Sequence, residues 1–141
     1  MEDKVDIGAL KERLSRNIED VDAALSLGNV YYDMNDAPSA ILYYRHVLDI
    51  KPEMPNVLTD MGAMYWRNDD IGLAEKAFRD AIAVDSVFGA AYLNLGFLLR
   101  DAKGNLTEAR AIWNQLLAVN PQHELAGKAR ELLRETALSA N

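Results

Sequence analysis

An all-α fold, in which helix-turn-helix units stack into a solenoid, is predicted by three observations on this chain of 141 residues. The stretch Leu58-Thr59-Asp60-Met61-Gly62-Ala63-Met64-Tyr65 has a counterpart on either side: Leu27-Gly28 with Tyr31 lies 34 residues before it, and Leu95-Gly96 with Leu99 lies 34 residues after it. Each copy is followed by a small-aromatic-small trio, first Ala40, Tyr44 and Val47, then Ala74, Phe78 and Ala81, then Ala109, Trp113 and Leu116. Helix-start and helix-stop residues punctuate the chain between these blocks. A unit of this length cannot bury its own apolar face, so it must stack on a neighbour. The last trio is displaced by one residue. One extra residue in Ala102-Lys103-Gly104-Asn105 accounts for that, because an exposed turn tolerates an insertion that a packed helix does not.

In chain order, residues 4 to 18 place Ile7, Leu10, Leu14 and Ile18 at three- and four-residue steps, one face of an amphipathic helix. This N-terminal segment, 1-20, is expected to cap the stack or to pair with another chain. Asp20 suits the N-cap of a helix of about 21 to 34, and Asp36 that of a helix of about 37 to 50 with Pro38 in its first turn. Pro52 and Pro55 close the first unit, 21-54. The second unit, 55-88, reads as helices of about 55 to 68 and 71 to 84 around Asp69-Asp70. The third, 89-122, reads as about 89 to 102 and 105 to 119, with Asn105-Leu106-Thr107-Glu108 as a capping box. The remainder, 123-141, carries Leu125, Ala129, Leu132, Leu133 and Thr136 on one stripe, with Lys128, Arg130, Glu131 and Arg134 off it. A solenoid's last unit needs such a half-polar cover, so this segment is a capping helix.

Gly28, Gly62 and Gly96 fall inside helices, where each costs up to about 1 kcal/mol against alanine. Close helix approach is the expected compensation, with Gly28 facing Ala40, and Gly62→Leu is expected to be damaging. Tyr44, Phe78 and Trp113 are assigned to the core between units.

The residues resemble the tetratricopeptide repeat family. From unit starts at Val21, Pro55 and Gly89, its large fourth position holds Ala24, Leu58 and Tyr92, its Leu-Gly pair is Leu27-Gly28, Met61-Gly62 and Leu95-Gly96, and its closing proline is Pro52, Ser86 and Pro121. Ala24, Met61, Leu99 and Ser86 depart from the pattern. The resemblance covers roughly residues 21 to 122 and implies a right-handed α-solenoid whose first helices line a concave groove that binds a protein segment.

First-helix positions left over from packing are Asp22, Leu25, Ser26, Asn29, Tyr32 and Asp33 in the first unit, and Asn56, Thr59, Asp60, Ala63, Trp66 and Arg67 in the second. The third adds Ala90, Leu93, Asn94, Phe97, Arg100 and Asp101. Large apolar groups where packing does not use them are the informative observation. Tyr32, Trp66 and Phe97, with amides among mixed charges, suit an extended or helical peptide. Arg67 and Arg100 favour acidic groups, and Asp22, Asp33 and Asp60 basic ones. The family's carboxylate clamp has Lys, Asn, Asn, Lys and Arg where this chain has Leu25, Asn29, Asp60, Ala90 and Asn94. Only Asn29 is retained, so a chaperone C-terminus is not expected to bind in that way.

The net charge of -7 and pI near 4.8 argue against nucleic acid. The absence of cysteine excludes disulfides and thiolate metal sites. No basic stretch and apolar run opens the sequence, and no apolar run is long enough to span a bilayer, so a cytoplasmic protein without membrane insertion is expected. His46 and His123 fall on a second helix and at a turn, and no nucleophile elbow, Walker loop or dinucleotide fingerprint is present. No metal, cofactor or enzymatic activity is therefore expected. The principal expectation is a non-enzymatic interaction scaffold. Two alternatives remain: a self-assembling structural protein that forms homo-oligomers through the N-terminal helix, and an assembly helper. The latter rests on Trp113-Asn114-Gln115-Leu116-Leu117 before Asn120-Pro121, which resembles tetratricopeptide proteins of cytochrome c maturation and nitrite-reductase assembly.

Overall fold

A computed structural model of the chain describes residues 5–138. The outermost parts of the segments expected at 1-20 and 123-141 lie outside these residues. Among them are eight helices and no strand: α1 Ile7–Arg16, α2 Val21–Asp33, α3 Ala37–Ile50, α4 Pro55–Arg67, α5 Ile71–Val84, α6 Gly89–Asp101, α7 Leu106–Val119 and α8 Ala126–Thr136. Each packs on its neighbours in the chain, and α4 also meets α6. That added contact sets the first helices of the second and third pairs side by side, as an α-solenoid requires.

Local chemistry explains where the helices begin. The Asp20 side chain accepts from the Ala23 amide at 3.0 Å, and that of Asp36 from the Ser39 amide at 3.2 Å, each satisfying a donor the helix leaves unused. Asn105 accepts from the Glu108 amide at 3.0 Å, but Glu108 answers to the Asn105 side-chain amide at 3.1 Å, so the expected capping box is closed by side chains. Asn35, Asp69 and Gly104 take positive φ in the three intra-pair turns. Between α2 and α3, and between α4 and α5, the turn has three residues, whereas Ala102 to Asn105 has four. The displaced third trio originates there.

The helical glycines work differently from the Gly28–Ala40 contact expected. An added Cβ at Gly28 would lie 2.6 Å from Tyr44 Cδ1, one at Gly62 2.6 Å from Phe78 Cε1, and one at Gly96 2.5 Å from Trp113 Cε2. The approach is ring against backbone. Each pair's aromatic side chain occupies the volume its own glycine vacates, and all three rings are fully buried.

Both ends are covered. Leu10 is 9% exposed, and with Ile7 and Leu14 it packs on Ala23, Leu27, Tyr31 and Tyr43, so this stripe meets its own chain. Ile18 departs from the expected stripe: α1 ends at Arg16, Asn17 is extended, and Ile18 is 69% exposed. At the other end Ala129, Leu132 and Thr136 of α8 are buried, the first two against the cluster that holds Trp113. Arg110 Nη1 donates to the Leu133 carbonyl and to Thr136 Oγ1, both at 2.6 Å, and so secures the last turn of α8.

Candidate functional site

The concave face is built from spacing. On α4, Asn56, Asp60, Ala63 and Arg67 follow one another by four, three and four residues, which keeps them on one side of the helix. The same steps give Asp22, Ser26, Asn29 and Asp33 on α2, and Ala90, Asn94, Phe97 and Asp101 on α6. None of these twelve is buried. Between α4 and α6 lies a hollow of about 480 Å³ lined by Ala63, Trp66, Arg67 and Asn94, which brings together four of the residues singled out above.

Position five of each unit lies one residue, about 100° of rotation, off that stripe. Leu25 is accordingly half-buried in the core of the first pairs. Thr59 and Leu93 are 4% and 7% exposed. The Thr59 hydroxyl is committed to the Pro55 carbonyl at 2.7 Å, and Leu93 belongs to the core that holds Trp113. Neither Thr59 nor Leu93 lines the groove, contrary to the expectation from sequence.

The aromatic side chains survive as surface. Tyr32, Trp66 and Phe97 are each only partly buried, their inner edges packed on the core. The N-terminal helix does not close over them. It rests instead on Tyr31 and Tyr43, whose rings stack at 5.7 Å with an interplanar angle of 2°. This pairing was not visible in the sequence, where the two Tyr-Tyr doublets gave no sign of which members would meet. Beside it, α1 and α2 bound a second hollow of about 380 Å³ that reaches Asn29 and Asp33, so α1 forms one lip of the concave face. Phe97 sits edge-on to Trp113 at 5.9 Å, and the Arg100 guanidinium lies over both rings while its N–H groups donate to Asp101 at 2.6 and 3.0 Å. Arg100 is thus already engaged, whereas Arg67 is exposed on the rim of the hollow.

Between α3 and α2, Tyr44 Oη donates to Asn29 Oδ1 at 2.7 Å. Burial pushes the Tyr44 hydroxyl well above its usual range, and the Asp60 carboxylate adds to the effect. Tyr32 is raised by the same two causes in the same order, with Arg67 opposing. Burial alone raises Asp60 from 3.8 to about 6. His46 Nε2 donates to the Ile18 carbonyl at 2.6 Å, and His123 Nδ1 accepts from the Leu125 amide at 3.0 Å. His46 stands on α3, and His123 stands in the turn before α8 with its ring against Gly89 at the start of α6. No group of three or more His, Cys, Asp or Glu among the described residues is placed to hold a metal ion. No described helix is long and apolar enough to cross a membrane.

Family models described as tetratricopeptide repeat match residues 21–54 and 59–124. The general transcriptional corepressor ssn6 of Schizosaccharomyces pombe is 26% identical over 120 residues, which are 84% of this chain and 11% of that protein. This chain therefore spans about a ninth of that relative's length. The crystal structure of MamA superposes with a TM-score of 0.76 at 24% identity, covering 95% of this chain and 81% of that one. The first TPR of Spaghetti (RPAP3) bound to the HSP90 peptide SRMEEVD gives 0.68 at 24%, covering 83% and 93%. The complex of the TPR2B domain of yeast Sti1 with pHsp70 gives 0.75 at 17%, covering 84% and 97%. At these identities the likeness is one of fold.

Proposed function

Since the chain belongs to the tetratricopeptide repeat family, we propose that it is a non-catalytic interaction module that binds a protein segment along the concave face of α2, α4 and α6. One observation carries this reading: Tyr32, Trp66 and Phe97 remain partly uncovered on the three concave helices, and Trp66 lines a hollow that the chain does not fill. Aromatic side chains supply large contact area at little cost in side-chain entropy, and they cluster where partners dock. The peptide complexes among its structural neighbours support the choice of ligand class. They do not transfer the binding mode, because Leu25, Asp60, Ala90 and Asn94 stand where a carboxylate clamp needs cations and an amide. The groove residues we assign are Asn29, Tyr32, Asp33, Asn56, Asp60, Ala63, Trp66, Arg67, Asn94, Phe97 and Arg100, with Leu25 as a half-buried flank.

The test is the paired substitution Tyr32→Ala and Trp66→Ala. Both side chains are partly exposed, so the variant is expected to fold with unchanged helical circular dichroism and to lose most of the proteins that the parent captures from a lysate. Capture of an identical set by the folded variant removes the groove as the binding site.

A further inference from the structure

Asp60 is unusual among the acidic residues of this chain. Three carboxylates on α5 and α7 are neutralised by ion pairs. Glu75 lies 2.9 Å from Arg79 and 2.7 Å from Lys103, Asp80 lies 2.7 Å from Lys76, and Glu108 lies 2.6 Å from Arg79. Asp60 has no such partner. No ion pair or hydrogen bond reaches it among the described residues, and desolvation is the sole cause of its raised pKa. The nearby hydroxyl of Tyr44 spends its proton on Asn29, and Arg67, two turns along α4, forms no ion pair with Asp60 or Asp33. A carboxylate that has lost water and gained nothing in return is a cost to the free protein.

Its surroundings indicate what would offset that cost. Tyr32 and Asp60 lie on the concave helices α2 and α4, both partly buried, and the Tyr32 phenol is raised by burial and then by the Asp60 charge. One turn further on, Ala63 leaves open the hollow that Trp66, Arg67 and Asn94 complete. A flat aromatic wall next to an unpaired carboxylate fits a long side chain with an apolar stem and a cationic tip. An acidic group is disfavoured there by Asp60, by Asp33 on the facing helix and by the net charge of -7.

We propose that the concave groove recognises a peptide segment bearing a lysine or arginine, whose cation pairs with Asp60 while its stem lies along Tyr32. This inference rests on the groove reading above. The free protein holds the carboxylate desolvated in advance, so the pair gains strength at binding because little water remains to be removed.

A random-peptide display library selected against the whole chain tests both claims separately. The enriched peptides are expected to share a Lys or Arg. A synthetic copy of the tightest binder with that residue replaced by norleucine should bind about tenfold more weakly. Asp60→Asn should weaken the parent peptide by a similar factor and leave the norleucine peptide unaffected, because the two changes remove one interaction. Enriched peptides without a shared basic residue, or equal binding of the selected peptide to the parent and to Asp60→Asn, overturn the inference and leave the groove standing. If no peptide is enriched, or if those enriched bind the Tyr32→Ala, Trp66→Ala variant as tightly as the parent, the groove itself fails and the inference falls with it. Thermal melting separates a structural role for Asp60, since Asp60→Asn is expected to melt no lower than the parent.

Discussion

At Gly96 a single methyl group would collide with the indole of Trp113, whose Nε1 is the nearest atom. That ring is fully buried, its N–H has no partner, and on its other side it carries Phe97 edge-on and Arg100 above. The indole has no free direction in which to retreat. Gly96→Ala is therefore expected to destabilise by about 1–3 kcal/mol through overpacking, although helix propensity alone favours alanine by up to about 1 kcal/mol. Gly127 in α8 meets nothing within 4 Å, so Gly127→Ala should stabilise by about 0.4–1 kcal/mol. Urea denaturation of the two variants should show opposite signs; equal signs would mean that ring contact does not decide these positions. Asp60 gives a second prediction at this scale. Its pKa is raised from 3.8 to about 6, so between those values the folded state binds more protons than the unfolded one. Stability contributed by this group is full below about pH 4 and lost as the pH rises through about 6. Asp60→Asn should thus gain ~1 kcal/mol over the parent at pH 7, allowing for solvent that still reaches the carboxyl, and should gain nothing below about pH 4. A gain that does not vary with pH would assign the effect to something other than the charge.

At the scale of the helix, sequence spacing carried a great deal. The starts of α2, α3 and α7 follow from side-chain caps and that of α4 from Pro55, because a first-turn donor left unused is a local problem with a local solution; α6 begins after Phe88 with neither. The inserted residue of the third pair was legible for the same reason, since only a turn absorbs it. Spacing was less informative about facing. Thr59 and Asp60 are adjacent, yet one is 4% exposed and bonded to its own helix while the other opens on the groove. A list of positions merely left over from packing cannot tell them apart. The four-three-four step through Asn56, Asp60, Ala63 and Arg67 does so, because it fixes one side of a helix with 3.6 residues per turn. Ile18 teaches the same lesson at the end of α1. It continues the apolar period, but periodicity does not terminate a helix, and the chain must already turn there to present Asp20 as the cap of α2. The Tyr31–Tyr43 stack was beyond reach, being a contact between two helices whose relative rotation the sequence does not state.

Across the whole molecule, stability is distributed along one dimension. Each helix leans mainly on its neighbours in the chain, so a terminal helix has support on one side and an inner helix on two or more. The ends are not equal. The cluster under α1 contains three buried residues, Leu10, Ala23 and Leu27, against thirteen in each of the two inner clusters. At the opposite end α8 contributes Ala129 and Leu132 to one of those larger clusters, and Arg110 ties down its last turn with two bonds of 2.6 Å. By contrast, α4 is held by α3, α5 and α6 at once. Opening α1 therefore exposes the least apolar surface of any single step, and native-state hydrogen exchange should rank the helices accordingly. Amides of α1 are expected to exchange first, those of α8 later, and those of α4 to α6 only with global unfolding. The groove would then have a rigid floor in α4 and α6 and a yielding lip in α1, which reaches Asn29 and Asp33. A bound segment that also touches α1 should slow exchange there more than anywhere else. Equal protection of α1 and α4 in the free protein would contradict this gradient, since it would require the small cluster around Leu10 to hold its helix as firmly as the two large ones hold theirs.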